Sequence, residues 1–158
     1  MYYNDKIILD HHDLADMSYR YKAAGYIVGT TNGCFDLLHP GHVEFLNTAY
    51  TYCDALIVLI NSDDYIETHS RIPIYNQHDR LRMVASLGCV TFATIFNDED
   101  PSRLIRKLYP NIHFNHTKYG NDCVESGAIE AVGGELILIN DLAPYSTTDL
   151  ISRIKEEY

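Results

Sequence analysis

Residues 26–61 read YIVGTTNGCFDLLHPGHVEFLNTAYTYCDALIVLIN, a strand, a turn, a helix and a second strand in succession. Tyr26 to Thr31 is short, apolar and β-branched, and it leads straight into the glycine-bearing Thr31-Asn32-Gly33-Cys34. From Gly41 to Cys53 the apolar positions Val43, Leu46, Ala49, Tyr50 and Cys53 recur at helical spacing. Ala55 to Asn61 (ALIVLIN) is almost wholly apolar, as expected of a strand covered on both faces.

The same alternation continues outward. A helix is expected around Gln77 to Leu87, with Arg80, Met83, Val84 and Leu87 on one face, followed by a strand over Cys89–Phe96. Ser102–Leu108 reads as a helix stopped before Pro110, and Ile112–Asn115 and Glu135–Asn140 as two further strands. Between those strands Val124–Val132 has helical composition and ends at Gly133-Gly134. A last helix runs from about Thr147 to Glu156 with Leu150, Ile151 and Ile154 as its buried stripe. Upstream, His12–Ala24 looks like a short amphipathic helix closed by Gly25. The pattern predicts a single Rossmann-like α/β domain over residues 26–158, with residues 1–25 as a helical extension packed on it. Its sheet is expected to be mostly parallel, of about five strands, with helices on both faces. Ligands in such sheets bind outside the carboxyl ends of the strands, near the switch point.

The chain has 158 residues, enough for one domain with a real hydrophobic core. Its formal charge of −10 argues against an electrostatic grip on nucleic acid. A local nest of amides can still bind phosphate, so any such site must be local. Cys34, Cys53, Cys89 and Cys123 never form a CxxC pair, which speaks against a zinc site or disulfide framework and suits a reducing compartment. No basic start precedes an apolar core at the N-terminus, and no apolar run approaches a membrane span. A cytoplasmic location with no membrane partner is expected.

Chemistry concentrates at the end of the first strand. Neither GxGxxG nor GxxxxGK[ST] occurs there. What stands there is a glycine-bearing turn and two histidines three apart, His39 and His42, with the second at the start of a helix. Gly33 allows the backbone close to a ligand, and Gly41 removes bulk beside the imidazoles. The helix start offers free amides and a positive dipole end to an anion, and two imidazoles can donate to phosphate oxygens. Spacing three also suits a metal pair, but no third His or Cys ligand sits at a recognisable offset. No side-chain metal site is expected.

GCFDLLHPGHVEFL resembles the HxGH signature of the cytidylyltransferase-like nucleotidyltransferases. Within them it looks most like the adenylyltransferase domain that makes ADP-heptose from heptose 1-phosphate, with glycerol-3-phosphate cytidylyltransferase the next type. Ala23-Ala24-Gly25, Asn61-Ser62-Asp63, Gly133-Gly134-Glu135 and Ser146-Thr147-Thr148 match the heptose enzymes in order. The resemblance implies in-line attack of an acceptor phosphate on the α-phosphorus of a triphosphate, ATP or alternatively CTP, used with Mg²⁺. It implies that His39 and His42 hold the triphosphate, and that Asn32, Gly33, Cys34, Phe35 and Asp36, with Gly41, form part of the nucleotide wall. Ser146, Thr147 and Thr148 would grip the β and γ phosphates while also capping their helix. Asp63 would line the acceptor side or help hold Mg²⁺, unless it is a solvated turn residue, and Arg80 would reach a phosphate or be solvated. Many relatives are dimers, so a homodimer is an implied possibility.

The chain departs from the heptose pattern in two places. The family's Lys-Gly before an Arg-Pro pair is replaced by Thr68-His69-Ser70-Arg71-Ile72-Pro73, with Arg71 displaced by one position from the proline. Its KGGDY-like segment is replaced by Asn115-His116-Thr117-Lys118-Tyr119-Gly120, where Lys118 and His116 are candidates to restore positive charge or are simply solvated. A nucleotide-binding module with weakened catalysis is therefore a further reading. The glycerol-3-phosphate enzymes place a basic residue shortly before their STT-like run, and Asp141–Tyr145 has none, which favours the heptose type.

Overall fold

The computed structural model describes residues 2–140 and 146–157; the basic-free run Asp141–Tyr145 lies outside them. Its sheet is all-parallel, with strands β1 (Val28–Gly33), β2 (Ala55–Asn61), β3 (Phe92–Phe96), β4 (Ile112–His116) and β5 (Glu135–Ile139) in the order β3-β2-β1-β4-β5. From the central β1 the chain steps outward to β2 and β3, then crosses back to β4 and β5. The reversal falls between β1 and β4, which opens a crevice at their carboxyl ends.

Helices α1 (Tyr3–Lys6) and α2 (His11–Ala23) precede the sheet, and α3 (Pro40–Tyr50), α4 (Asp63–His69), α5 (Gln77–Ala85), α6 (Ser102–Leu108), α7 (Ser126–Ala131) and α8 (Thr147–Glu157) follow in order. Strand β2 explains the two layers, because all seven of its residues are buried. Leu56, Val58 and Ile60 pack with Phe45 and Leu46 of α3 and Leu81 and Val84 of α5. Ala55, Ile57 and Leu59 point the other way, into a second core with Leu14 of α2, Ile105 of α6 and Ile129 of α7.

Three expectations shift. Strand β1 starts at Val28 because Tyr26 and Ile27 remain exposed, and it runs on to Gly33, pairing Asn32 with Leu59 and Gly33 with Ile60. Asn32 and Gly33, read from the sequence as part of a turn, are therefore held in the sheet, and the turn begins at Cys34. Strand β3 begins at Phe92, since Val90 closes a turn onto the Leu87 carbonyl. Helix α8 buries none of its residues, and Ile154 is 54% exposed, so the expected buried stripe is corrected. The helix lies along the crevice rim, where Thr147, Thr148 and Ile151 meet a cavity instead of a sheet face.

Candidate functional site

The first wall of the crevice is built by local packing at the end of β1. Phe35 sits at φ 49°, in the left-handed region, which is unfavourable for a bulky residue and is sustained by its burial. Its ring lies 5.2 Å from that of His42. A Cβ on Gly33 would come within 2.9 Å of the Phe35 ring, so glycine is required there by close approach. His39, extended at φ −134°, caps α3, and Pro40 opens the helix with a pre-set φ. The two imidazoles stack at 3.8 Å between centroids with 23° between planes.

The stack fixes how His42 faces the crevice. The His39 backbone N–H donates to His42 Nδ1 at 3.4 Å, which leaves the ring proton on Nε2. Burial, then the neighbouring His39, His116 and Lys118, push the His42 pKa down to about 4, opposed in part by the Leu37 carbonyl. His42 is thus a neutral imidazole at pH 7, with a ring N–H to donate rather than a fixed charge.

Beside it lies a cavity of about 540 Å³. Of the residues predicted from the sequence, Asn32, Gly33, Cys34, Phe35, Asp36, His42, Lys118, Thr147 and Thr148 line it together. The charge of this wall is opposite to that of the chain. Among the described residues, Arg71, Lys118 and Lys155 line it, against the single carboxylate of Asp36. That carboxylate is only 2% exposed and already engaged: Oδ1 accepts the Ile74 and Tyr75 amides at 2.8 and 3.1 Å, and Oδ2 pairs with Arg71 at 3.0 Å.

Five predicted residues do not reach this wall. His39 lies behind His42, and Gly41 sits inside the first turn of α3. Ser146 is a helix cap, its Oγ accepting the Asp149 amide at 3.1 Å and donating to the Asp149 carboxylate at 2.6 Å. The roles given jointly to Ser146, Thr147 and Thr148 are therefore divided between capping and facing the cavity. Arg80 is fully buried: it donates to the carbonyls of Tyr75 and Cys34 and to Asp63 Oδ1 at 2.7 Å, leaving it no reach to a phosphate. Asp63, held by Arg80 and the Gln77 amide, lines a different pocket on the β3 side. Both expectations are corrected by the same cause, a buried guanidinium that must satisfy all its donors.

The structure also brings in residues the sequence left unassigned: Tyr65 and His69 of α4, Phe45 of α3, and Ile151 and Lys155 of α8. Phe45 stacks on His116 at 4.2 Å, which holds that imidazole against the wall. A signal for α4 exists in Asn61-Ser62-Asp63, because Ser62 Oγ accepts the Tyr65 amide as an N-cap does.

A second cavity of about 570 Å³ adjoins the first and shares with it Asn32, Gly33, Cys34 and Asn115 as well as the rings of Tyr65, His69 and Tyr119. Its charge is reversed: among the described residues Glu99, Asp100, Asp122 and Glu125 line it, and no lysine or arginine does. Glu125, 5% exposed, accepts from Asn115 Nδ2 at 3.2 Å. Among the described residues no cluster of three His, Cys, Asp or Glu could hold a metal ion. The four cysteines are free thiols. Among the same residues no helix is long and apolar enough to cross a membrane.

A family model described as cytidylyltransferase-like matches residues 30–153. The chain is 38% identical over 157 residues to the bifunctional protein HldE of Bradyrhizobium sp. (strain ORS 278), a match covering 97% of this chain and 32% of that protein. With the bifunctional protein HldE of Rhodopseudomonas palustris (strain BisA53) the identity is 37% over 155 residues, covering 94% and 31% respectively. The chain thus spans about a third of the length of these relatives. Among solved structures, the lipopolysaccharide core biosynthesis protein from Thermoplasma volcanium GSS1 superposes with a TM-score of 0.62 at 23% identity, over 77% of this chain and 100% of that one. That last likeness is one of fold.

Proposed function

The chain belongs to the cytidylyltransferase-like family of nucleotidyltransferases, and from that premise we propose that it transfers the nucleotidyl group of MgATP to a sugar phosphate of the heptose 1-phosphate kind. The observation that carries this reading is the charge inversion at the crevice. A chain of net charge −10 gathers Arg71, Lys118 and Lys155 around the donor face of His42 and the start of α8. Such a cavity suits a polyanion.

In this reading an oxygen of the acceptor phosphate attacks the α-phosphorus in line. A new P–O bond forms, the bond to the β-phosphate oxygen breaks, and pyrophosphate leaves with that electron pair. Positioning and charge stabilisation do most of the work in such a transfer. His42 Nε2–H donates to the oxygens on which charge builds. Thr147, Thr148 and the first-turn amides of α8 hold the distal phosphates. His39 acts behind His42, holding its Nδ1 and its ring. A magnesium ion would be held by the triphosphate's own oxygens and would neutralise their charge, since Asp36 is committed to two amides and Arg71 and Asp63 lines a different pocket. The carboxylates of the second cavity would accept hydrogen bonds from the acceptor's hydroxyls. A triphosphate substrate and four free thiols fit a cytoplasmic setting.

The test is pyrophosphate release by the purified protein with Mg²⁺, heptose 1-phosphate and either ATP or CTP. Release with ATP is the expected result. Release with CTP alone would transfer the reading to the cytidylyltransferase type, and binding of triphosphate without any release would leave a catalytically weakened module. His42→Ala should lower kcat by a factor on the order of 10²–10³, the loss typical of one oxyanion donor. A His42→Ala variant at the wild-type rate would remove His42 from the mechanism.

A further inference from the structure

His113 is fully buried in β4, and no step of the transfer described above uses it. A fully buried imidazole calls for a reason, because a buried polar ring must satisfy both nitrogens. Both have partners. Nδ1 lies 2.8 Å from Thr30 Oγ1, and Nε2 lies 3.1 Å from Asn32 Oδ1. Thr30 is the register partner of His113, and Asn32 follows two residues along β1, on the same face.

The direction of these bonds follows from Asn32 Oδ1, which can only accept: His113 Nε2 carries the ring proton and donates to it, and Nδ1 is left to accept. The Thr30 hydroxyl has two acceptors in range, His113 Nδ1 at 2.8 Å and the Ile112 carbonyl at 3.4 Å. Because Nδ1 carries no proton of its own, the hydroxyl donates to it, at the shorter of the two distances. With Nε2 donating, the carboxamide oxygen is held inward, and its NH₂ is presented to the crevice. Asn32 lines both cavities, next to Gly33, where the cationic and acidic walls meet.

We propose that His113 is a positioning residue that locks the Asn32 carboxamide, so that the Asn32 NH₂ donates to a phosphate oxygen at the junction of the two cavities. This rests on the transfer reading above. An unlocked amide could turn by half a revolution and offer its oxygen to the anion, replacing attraction with repulsion. Burial holds the His113 pKa down to about 3, so the ring stays neutral and the lock does not titrate near pH 7.

Two measurements test the lock. The ¹⁵N NMR spectrum of histidine-labelled protein should show the Nε2–H tautomer at His113 at pH 7; an Nδ1–H tautomer would reverse every bond in the chain and overturn the proposal. Calorimetric binding of MgATP, with KM values for ATP and heptose 1-phosphate, should then be compared in wild type, His113→Leu and His113→Gln, alongside the melting temperature of each. His113→Leu should weaken one phosphate substrate about tenfold, the scale of one hydrogen bond to a charged group. His113→Gln, which keeps an N–H donor, should recover most of that loss. A higher Kd for MgATP assigns the oxygen to the triphosphate, and a higher KM for heptose 1-phosphate alone assigns it to the acceptor. Equal constants in wild type and His113→Leu, or Gln as weak as Leu, would overturn the proposal. Should His113→Leu not fold, Asn32→Asp keeps an acceptor for His113 and removes the NH₂; wild-type affinity in that variant overturns it equally. Wild-type protein that binds no MgATP strikes the transfer reading itself, whereas equal binding by wild type and variant strikes only the lock.

Discussion

Arg80–Asp63 and Arg71–Asp36 are both arginine–aspartate pairs at the carboxyl edge of the sheet, at 2.7 and 3.0 Å, yet they are built inside out. In the first the guanidinium is fully buried and the carboxylate side chain 27% exposed; in the second the carboxylate is 2% exposed and the guanidinium 36%. The ends that are buried do structural work. Arg80 ties the Cys34 carbonyl, the Tyr75 carbonyl and Asp63 together, and Asp36 pins the Ile74 and Tyr75 amides over the same turn. The exposed end of the second pair is different. Arg71 rests on an anchored carboxylate with part of its surface in the cationic cavity, where it can meet a ligand. Exposure, rather than residue type, separates a clamp from a binding group.

The largest test of that distinction is Arg80→Met. It leaves two carbonyls and Asp63 without their donor, and breaking a buried pair from one side costs about 3–5 kcal/mol. Denaturant unfolding should show that loss. A cost below about 1 kcal/mol, the range of a surface pair, would mean that Arg80 clamps nothing and would collapse the comparison.

The same pairs show what the sequence could convey. ALIVLIN announced a strand covered twice, and HPGH and STT announced two helix starts, because these signals are local in sequence. The partners of Arg80 come from residues 34, 63 and 75, and no local pattern reveals that three segments converge on one guanidinium. Its helical spacing placed it on a face with Val84, which is correct, but could not tell a covered face from a phosphate-facing one. Arg71 stood one position from the family pattern, yet the structure brings it to the cavity. Helix α4 carries no periodic signal in the sequence, because only Ile66 among its seven residues is buried. Apolar periodicity in α8 was real, but it predicted burial where the helix has a crevice on one side and water on the other.

Acidification applies the same rule to imidazoles. His42 and His113 have pKa values pushed down to about 4 and about 3 from 6.5, by burial first in each case. Below pH 6.5 the unfolded chain takes up protons at these positions while the folded one does not. Stability is therefore intact above that pH and falls as the pH drops towards 4, by up to about 1.4 kcal/mol per pH unit for each ring. His113→Gln removes one of the two contributions, so melting temperature against pH should fall less steeply between 6 and 4.5. An unchanged slope would mean that the fully buried ring is not the one resisting protonation.

Arg71→Ala carries the smallest expected effect and sharpens the comparison most. Asp36 keeps its two backbone donors but its Oδ2 loses its partner, so unfolding free energy should fall by about 1–3 kcal/mol, less than for Arg80→Met. MgATP binding should weaken about tenfold, and the loss should shrink as salt is added, because the guanidinium is partly exposed to solvent. Arg71→Lys should recover part of the affinity, since a point charge replaces a fork on a phosphate less well. A variant that loses stability as Arg80→Met does, while binding MgATP as wild type does, would make Arg71 a second clamp and leave Lys118 and Lys155 as the cations that face the triphosphate.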